Sequence, residues 1–204
     1  MDNILLATHN EGKLNRYRNL FSGLKGINLV SLSDLSISDK VEEPYNDSLS
    51  NSSFKAKEYA KISSMPTIAV DEALRTNFLP ENEQPGVFVR RFNKEKRELS
   101  DDDILLIWRE IFSTYPRDKY IFYWDFSMSC FDFKRDKLHN SKAVQVDYSN
   151  AYFSDKINKG YPMSSFLIAD GYRKPYVEIG EEDLLSIDRK NLKPFLDLIK
   201  NISF

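Results

Sequence analysis

Four apolar residues, Ile4-Leu5-Leu6-Ala7, run straight into Thr8-His9-Asn10-Glu11-Gly12-Lys13, and this junction most limits what the chain can fold into. It reads as a short buried strand that turns sharply into a helix. Backbone N–H groups at a helix start carry partial positive charge, and Lys13 adds a full one, so the turn is shaped to hold an anion such as phosphate. Thr, Asn and Gly also recur in such turns simply because they cap and turn well. Other parts of the chain must decide between these readings.

With 204 residues the chain is long enough for a sizeable core, and 1–204 is expected to be one domain, with room for two lobes. Its 29 basic and 31 acidic residues leave a net charge of −2, which argues against nucleic acid or a membrane surface as partner. The one cysteine, Cys130, excludes an internal disulfide and a cysteine-rich zinc site. No apolar run reaches membrane-spanning length, and no basic leader precedes the first strand, so a cytoplasmic protein is expected. Fourteen Phe and eleven Tyr favour a sheet-rich core.

The periodicity predicts strands at 4–7, 28–32, 67–70, 120–133, 143–148 and 165–169. Helices are predicted over 13–24, 48–63, 100–114 and from Glu181 onward, the last kinked at Pro194. In the longest strand, Phe122, Trp124, Phe126, Met128 and Cys130 alternate on one face, and Lys134 to Lys137 suggest a hairpin turn. Strands interleaved with helices indicate an α/β or α+β fold.

Four groups could carry chemistry: the Thr8–Lys13 turn, the loop pair Glu42-Glu43 before Pro44, Asp71 at the predicted end of a buried strand, and the bases Lys55, Arg90, Arg91, Lys174 and Arg189. Each has an ordinary structural role on its own. Together they describe a site for a polyphosphate, with a divalent metal between protein carboxylates and phosphate oxygens. There is no Gly-x-x-x-x-Gly-Lys-Ser/Thr loop, and two histidines, His9 and His139, are too few for a histidine metal cluster.

In order along the chain, these segments resemble the inosine triphosphate pyrophosphatase (Ham1-like) family. Residues 4–13 are similar to that family's opening strand and its Thr-x-Asn-x-x-Lys loop. Glu42-Glu43, Asn51 and Lys55-Ala56 follow its Glu-Glu … Glu-Asn-Ala-x-x-Lys-Ala spacing. Ala69-Val70-Asp71-Glu72-Ala73-Leu74 stands where it has Ala-Asp-Asp-Ser-Gly-Leu, and Pro85 to Phe92 resembles its Pro-Gly-x-Tyr-x-x-Arg-Tyr. The resemblance implies an α/β fold: an elongated mixed β-sheet with flanking helices, two lobes around a central cleft, and a homodimer. It implies Mg²⁺-dependent hydrolysis of deaminated purine nucleoside triphosphates to monophosphate and pyrophosphate. By position, Asp71 would be general base and metal carboxylate, with Glu42 or Glu43 as the second metal ligand. Thr8, His9, Asn10, Lys13, Lys55, Glu72, Tyr161, Asp188 and Arg189 would bind the substrate, helped by Arg90 or Arg91.

The chain also departs from the family pattern. Gly160-Tyr161-Pro162 lacks the aspartate of Gly-Tyr-Asp-Pro, and Ile187-Asp188-Arg189 replaces Ser-His-Arg. Asp183 stands where the pattern has a lysine, a reversal expected to repel phosphate. Glu72 replaces Ser/Thr, and Ser50 replaces a glutamate. These losses fall mainly on the half that reads the base. Two outcomes follow: an active pyrophosphatase with altered base choice, or a catalytically impaired nucleotide-binding or interaction paralogue. A dimeric structural protein without a ligand is a third, and it would bind no pyrophosphate.

Overall fold

The computed structural model describes residues 2–92 and 97–202. Six strands form one mixed sheet in the order β2-β1-β3-β4-β5-β6. They are β1 (Asp2–Leu6), β2 (Ile27–Ser31), β3 (Thr67–Thr76), β4 (Tyr120–Asp132), β5 (Lys137–Ser149) and β6 (Ile168–Ala169). The β1–β2 and β1–β3 pairs are parallel and the rest antiparallel. The helices are α1 (Glu11–Phe21), α2 (Ser48–Ser63), α3 (Asp101–Thr114), α4 (Glu181–Asn191) and α5 (Lys193–Asn201). None among the described residues is long and apolar enough to cross a membrane.

Around β1 both faces of the sheet are covered, which is why that strand is apolar without alternation. Ile4 and Leu6 join the larger core with Leu20 and Phe21 of α1, Trp108 and Phe112 of α3, and Phe195 of α5. Leu5 and Ala7 turn the other way, against Ala56, Tyr59 and Ala60 of α2. The same alternation runs through β4, where Phe122, Trp124, Phe126, Met128 and Cys130 all enter the larger core. Ser127 and Ser129 face α2 instead, bonding Ser48 and Ser52 at 2.8 Å each. Cys130 is a packed thiol, its pKa pushed up to about 12 by burial.

Several expected boundaries shift. β3 continues to Thr76 instead of stopping at Val70, because its second half pairs with β4 out to Thr76↔Phe122. Asp71 therefore lies within a strand, not at its end. β5 begins at Lys137, six residues earlier than expected, since the hairpin register runs unbroken to Asp132↔Lys137. Only Ile168–Ala169 of the expected 165–169 strand forms, after a short 3₁₀ turn over Pro162–Ser165. The C-terminal helix breaks at Leu192, with Pro194 in the first turn of α5, where a missing N–H costs no helical bond.

One mismatch in strand length creates the site. β1 pairs with β3 only at Leu5↔Thr67 and Leu6↔Ile68. Further along the same edge, Leu74 bonds Gly86 in both directions, at 2.8 and 3.0 Å. Between these contacts the edge of β3 is uncovered at Val70, Asp71 and Glu72.

Candidate active site

A cavity of about 1220 Å³ opens at this gap. It is lined by Thr8, His9, Asn10, Lys13, Glu42, Glu43, Lys55, Asp71, Glu72, Arg90, Arg91, Tyr161 and Asp188. Of the expected substrate and metal residues, Arg189 alone is not part of the lining; it is exposed on α4, as is Lys174 on its loop. Asp183 is exposed and bonds Tyr172, so the expected repulsion of phosphate does not arise inside the cavity.

The turn after β1 is held in shape by its own side chains. Asn10 caps α1 by accepting from the Lys13 amide at 3.0 Å, and Thr8 Oγ1 accepts from the Asn10 amide at 3.1 Å. The Asn10 Nδ2 donates to the Gly160 carbonyl at 3.2 Å. His9 Nε2 lies 3.1 Å from both the Asp39 carbonyl and the Tyr59 hydroxyl, tying the turn to the acidic loop and α2. Thr8, His9 and Asn10 thus build the wall, while Lys13 supplies its charge.

At the uncovered edge of β3, carbonyls of alternate residues need partners. That of Ile68 accepts from Ala7, and that of Leu74 accepts from Gly86. In the gap between them, the Val70 carbonyl is taken by Lys55 Nζ at 3.0 Å. The same ammonium lies 2.5 Å from Glu43 and 3.6 Å from Asp71. Glu43 also accepts from Arg91 at 3.1 Å, while Glu42 is exposed; the loop turns one acid inward and one outward. Asn51 of α2 holds this loop by bonding both backbone groups of Tyr45 at 3.0 Å. Lys13 lies 3.4 Å from Glu72. Arg90 is used structurally: it pairs with Asp101 at 2.9 Å and donates to the Leu99 and Gly160 carbonyls.

Burial and neighbouring charge tune these groups differently. Burial raises the Asp71 carboxyl above the usual aspartate value; Lys55 and Lys13 oppose the rise without cancelling it. Burial would lift Glu43 too, but Lys55, Lys13 and Arg91 hold it below its ordinary value. Desolvation pulls Lys55 down, and the two carboxylates more than restore it, so the ammonium stays charged.

Buried polar atoms without hydrogen-bond partners are uncommon in folded proteins. Here Asp71 Oδ2, Glu72 Oε1 and Ser164 Oγ are such atoms, and all three residues line the cavity. Among the described residues there is no group of three or more His, Cys, Asp or Glu that could hold a metal alone. Magnesium needs no such cage, because it keeps several waters and binds through one or two carboxylates plus phosphate oxygens. Asp71, with its orphaned oxygen, and Glu43, beside the same ammonium, fit that kind of site.

The inner end contains residues that no motif marked. Arg16 of α1 pairs with Asp188 at 2.7 Å. Gln145, Asp147 and Tyr176 form a bonded trio beside it, next to Trp124 and Phe126. Arg16 follows Lys13 by three residues, one helical turn along the same face. Gln145 and Asp147 share the buried face of β5, whereas the sequence alternation would turn Val144 and Val146 inward, so no sequence signal marked them.

A model of the Ham1 family matches residues 4–121. The chain is 24% identical over 189 residues to the dITP/XTP pyrophosphatase of Zymomonas mobilis, covering 92% of this chain and 86% of that one. It is 36% identical over 92 residues to the dITP/XTP pyrophosphatase of Streptococcus agalactiae serotype V, covering 45% of this chain. That match spans 28% of the length of the Streptococcus protein. The structure of a HAM1 protein from Coxiella burnetii superposes with a TM-score of 0.76 at 20% identity, covering 99% of this chain and all of that one. The likeness of fold extends beyond the residues that the family model matches.

Proposed function

Because this chain belongs to the Ham1 family, we propose that it is a nucleoside-triphosphate pyrophosphatase, cleaving its substrate to the monophosphate and pyrophosphate with Mg²⁺. The observation that carries the proposal is the Lys55 ammonium held between Glu43 and Asp71 on the uncovered edge of β3. The dITP/XTP pyrophosphatases of Zymomonas mobilis and Streptococcus agalactiae supply the reaction class.

The outer half of the cavity pairs three cations, Lys13, Lys55 and Arg91, with three acids, Glu43, Asp71 and Glu72. A triphosphate entering so balanced a site meets as much repulsion as attraction. A bound Mg²⁺ would neutralise phosphate oxygens and polarise the reacting phosphoryl group. Asp71 and inward-facing Glu43 would hold it. The lysines and Arg91 then stabilise charge on the departing pyrophosphate. Asp71 orients the attacking water and takes its proton, a role its raised proton affinity suits. The water oxygen bonds to phosphorus as the bridging oxygen leaves with pyrophosphate.

The expected cytoplasmic location and homodimer belong to the same proposal. Apolar Tyr123 and Val146, opposite each other on β4 and β5, are both exposed, with Val144 beside them, and would suit a subunit contact. Sedimentation velocity tests that contact.

One observation favours a second reading, a nucleotide-binding paralogue that has lost turnover. Glu72 engages Lys13, the cation of the anion-binding turn, where the family pattern carries a hydroxyl. Separating the products of inosine, xanthosine, guanosine and adenosine triphosphates after incubation with Mg²⁺ tests the reaction class. Monophosphate and pyrophosphate in equal amounts support pyrophosphatase chemistry. Diphosphate and inorganic phosphate contradict it, and binding without products selects the second reading.

A further inference from the structure

The inner end of the cavity is organised around the Arg16 guanidinium, which is fixed on every side that the protein touches. Its Nε and one terminal nitrogen donate to Asp188 Oδ1 at 3.0 and 2.7 Å, and the same terminal nitrogen reaches Gln145 Oε1 at 3.5 Å. Gln145 is itself held in one orientation. Its amide nitrogen donates to both oxygens of Asp147, at 3.0 and 2.9 Å, and lies 2.9 Å from the Tyr176 hydroxyl. Tyr176 in turn donates to Asp147 at 2.7 Å. With that nitrogen committed, only the amide oxygen is left to face Arg16. The guanidinium lies over the Phe126 ring, 5.1 Å from its centre, and 5.9 Å from that of Tyr161.

This end differs in kind from the outer half. It is walled by aromatic residues, with Trp124 and Phe126 stacked at 5.9 Å, and its cation is matched by the Asp188 charge. An ion-paired arginine beside a second buried acid, Asp147, offers little to a triphosphate. Flat apolar walls around fixed donors suit a heterocyclic base, since every base presents a face for stacking. Ser164 Oγ, buried without a partner, also belongs to the cavity lining, as does Tyr161, whose hydroxyl interacts with Arg16. Arg189, the arginine of the late motif, is exposed and outside the lining.

We propose that Arg16 of α1 reads the base of the bound nucleotide, with Asp188 and Gln145 as its positioning residues. The inference rests on the nucleotide-binding reading above. A guanidinium has donors only, so it rewards a base edge that carries a carbonyl acceptor and penalises one with an amino group in the same place. Asp188, standing where the family pattern has histidine, acts through Arg16 by fixing its plane.

The test measures binding by calorimetry with Mg²⁺ present, using inorganic tripolyphosphate and the α,β-methylene triphosphates of inosine and adenosine. The two nucleosides differ by a carbonyl against an amino group. The unaltered protein should favour the inosine compound by roughly 10–100-fold, the value of a hydrogen bond to a charged group. Arg16→Met should erase that preference and leave tripolyphosphate affinity within about twofold, since the phosphate contacts are elsewhere. Asp188→Asn should shrink the preference while Arg16 keeps its charge, which a purely structural role would not do. Arg16→Met with Asp188→Leu removes both charges and separates loss of the reader from an unpaired buried acid. A preference that survives in both Arg16 variants, or tripolyphosphate binding lost in parallel, overturns the assignment. If the unaltered protein binds tripolyphosphate without distinguishing the bases, this inference fails and the proposed function stands. If it binds none of the three, both fail.

Discussion

The Asn10 side-chain amide donates to the Gly160 carbonyl at 3.2 Å, closing a contact between segments 150 residues apart. Through it, the turn that caps α1 and the segment carrying Tyr161 become one wall of the cavity. Asp101 and Arg90 brace the same spot, since Gly160 donates to Asp101 at 2.8 Å and Arg90 pairs with that acid.

Gly160 has little room for change. It sits at φ +81°, and a Cβ there would lie 2.7 Å from Asn10 Oδ1 and 3.0 Å from the Gly12 nitrogen. Gly160→Ala should destabilise the protein by about 2 kcal/mol, combining left-handed strain with loss of the Asn10 cap. Tripolyphosphate binding should weaken as well. Urea unfolding and calorimetry check both effects; an unchanged urea midpoint would show that the wall does not depend on this contact.

Lys55 is the shared counter-charge of Glu43 and Asp71, and its side chain is only 11% exposed. Lys55→Met leaves buried Asp71 without its ion-pair partner, Glu43 with Arg91 alone, and the Val70 carbonyl without its donor. A loss of about 3 kcal/mol is expected, the scale for removing one partner of a buried pair. Adding Glu43→Gln should restore part of it, because less charge is then stranded. Additive losses in the double variant would contradict that coupling.

Asp147 makes stability depend on pH with a definite sign. Burial raises its pKa to about 6 from 3.8, despite bonds from Tyr176 and Gln145. Between those values the folded state holds a proton that the unfolded state has released, so this group's contribution to stability falls as pH rises. The gap corresponds to about 3 kcal/mol at about 1.4 kcal/mol per pH unit. Asp147→Asn removes that slope, so the variant should gain on the natural chain between pH 4 and pH 7. Urea unfolding at both pH values measures it, and a constant difference would contradict the assignment.

Much of the architecture was legible because local chemistry marks it. Asp47 accepts from the Ser50 amide at the start of α2, and Ser100 with Asp103 forms a reciprocal cap on α3, so both helices lie where their caps predict. β3 was harder to read. Asp71 and Glu72 look like the end of a strand, yet their main chain stays in register with β4, which sequence periodicity does not reveal. The phosphate side of the cavity follows motif spacing because Lys13, Glu43, Lys55, Asp71 and Arg91 each fall in one of the short segments that the motifs mark. The inner end does not, since Arg16 meets Asp188 across 172 residues and Gln145 across 129. The choice between Glu42 and Glu43 likewise depended on loop direction, which two adjacent identical residues cannot encode.

The account is tested most directly by pyrophosphate release from a panel of nucleoside triphosphates with Mg²⁺, measured for the natural chain and for Asp71→Asn. It predicts release from at least one nucleotide and a loss of about 100-fold or more in the variant, the scale of a general base. Release that is indifferent to Asp71→Asn, or no release from any nucleotide, would contradict it.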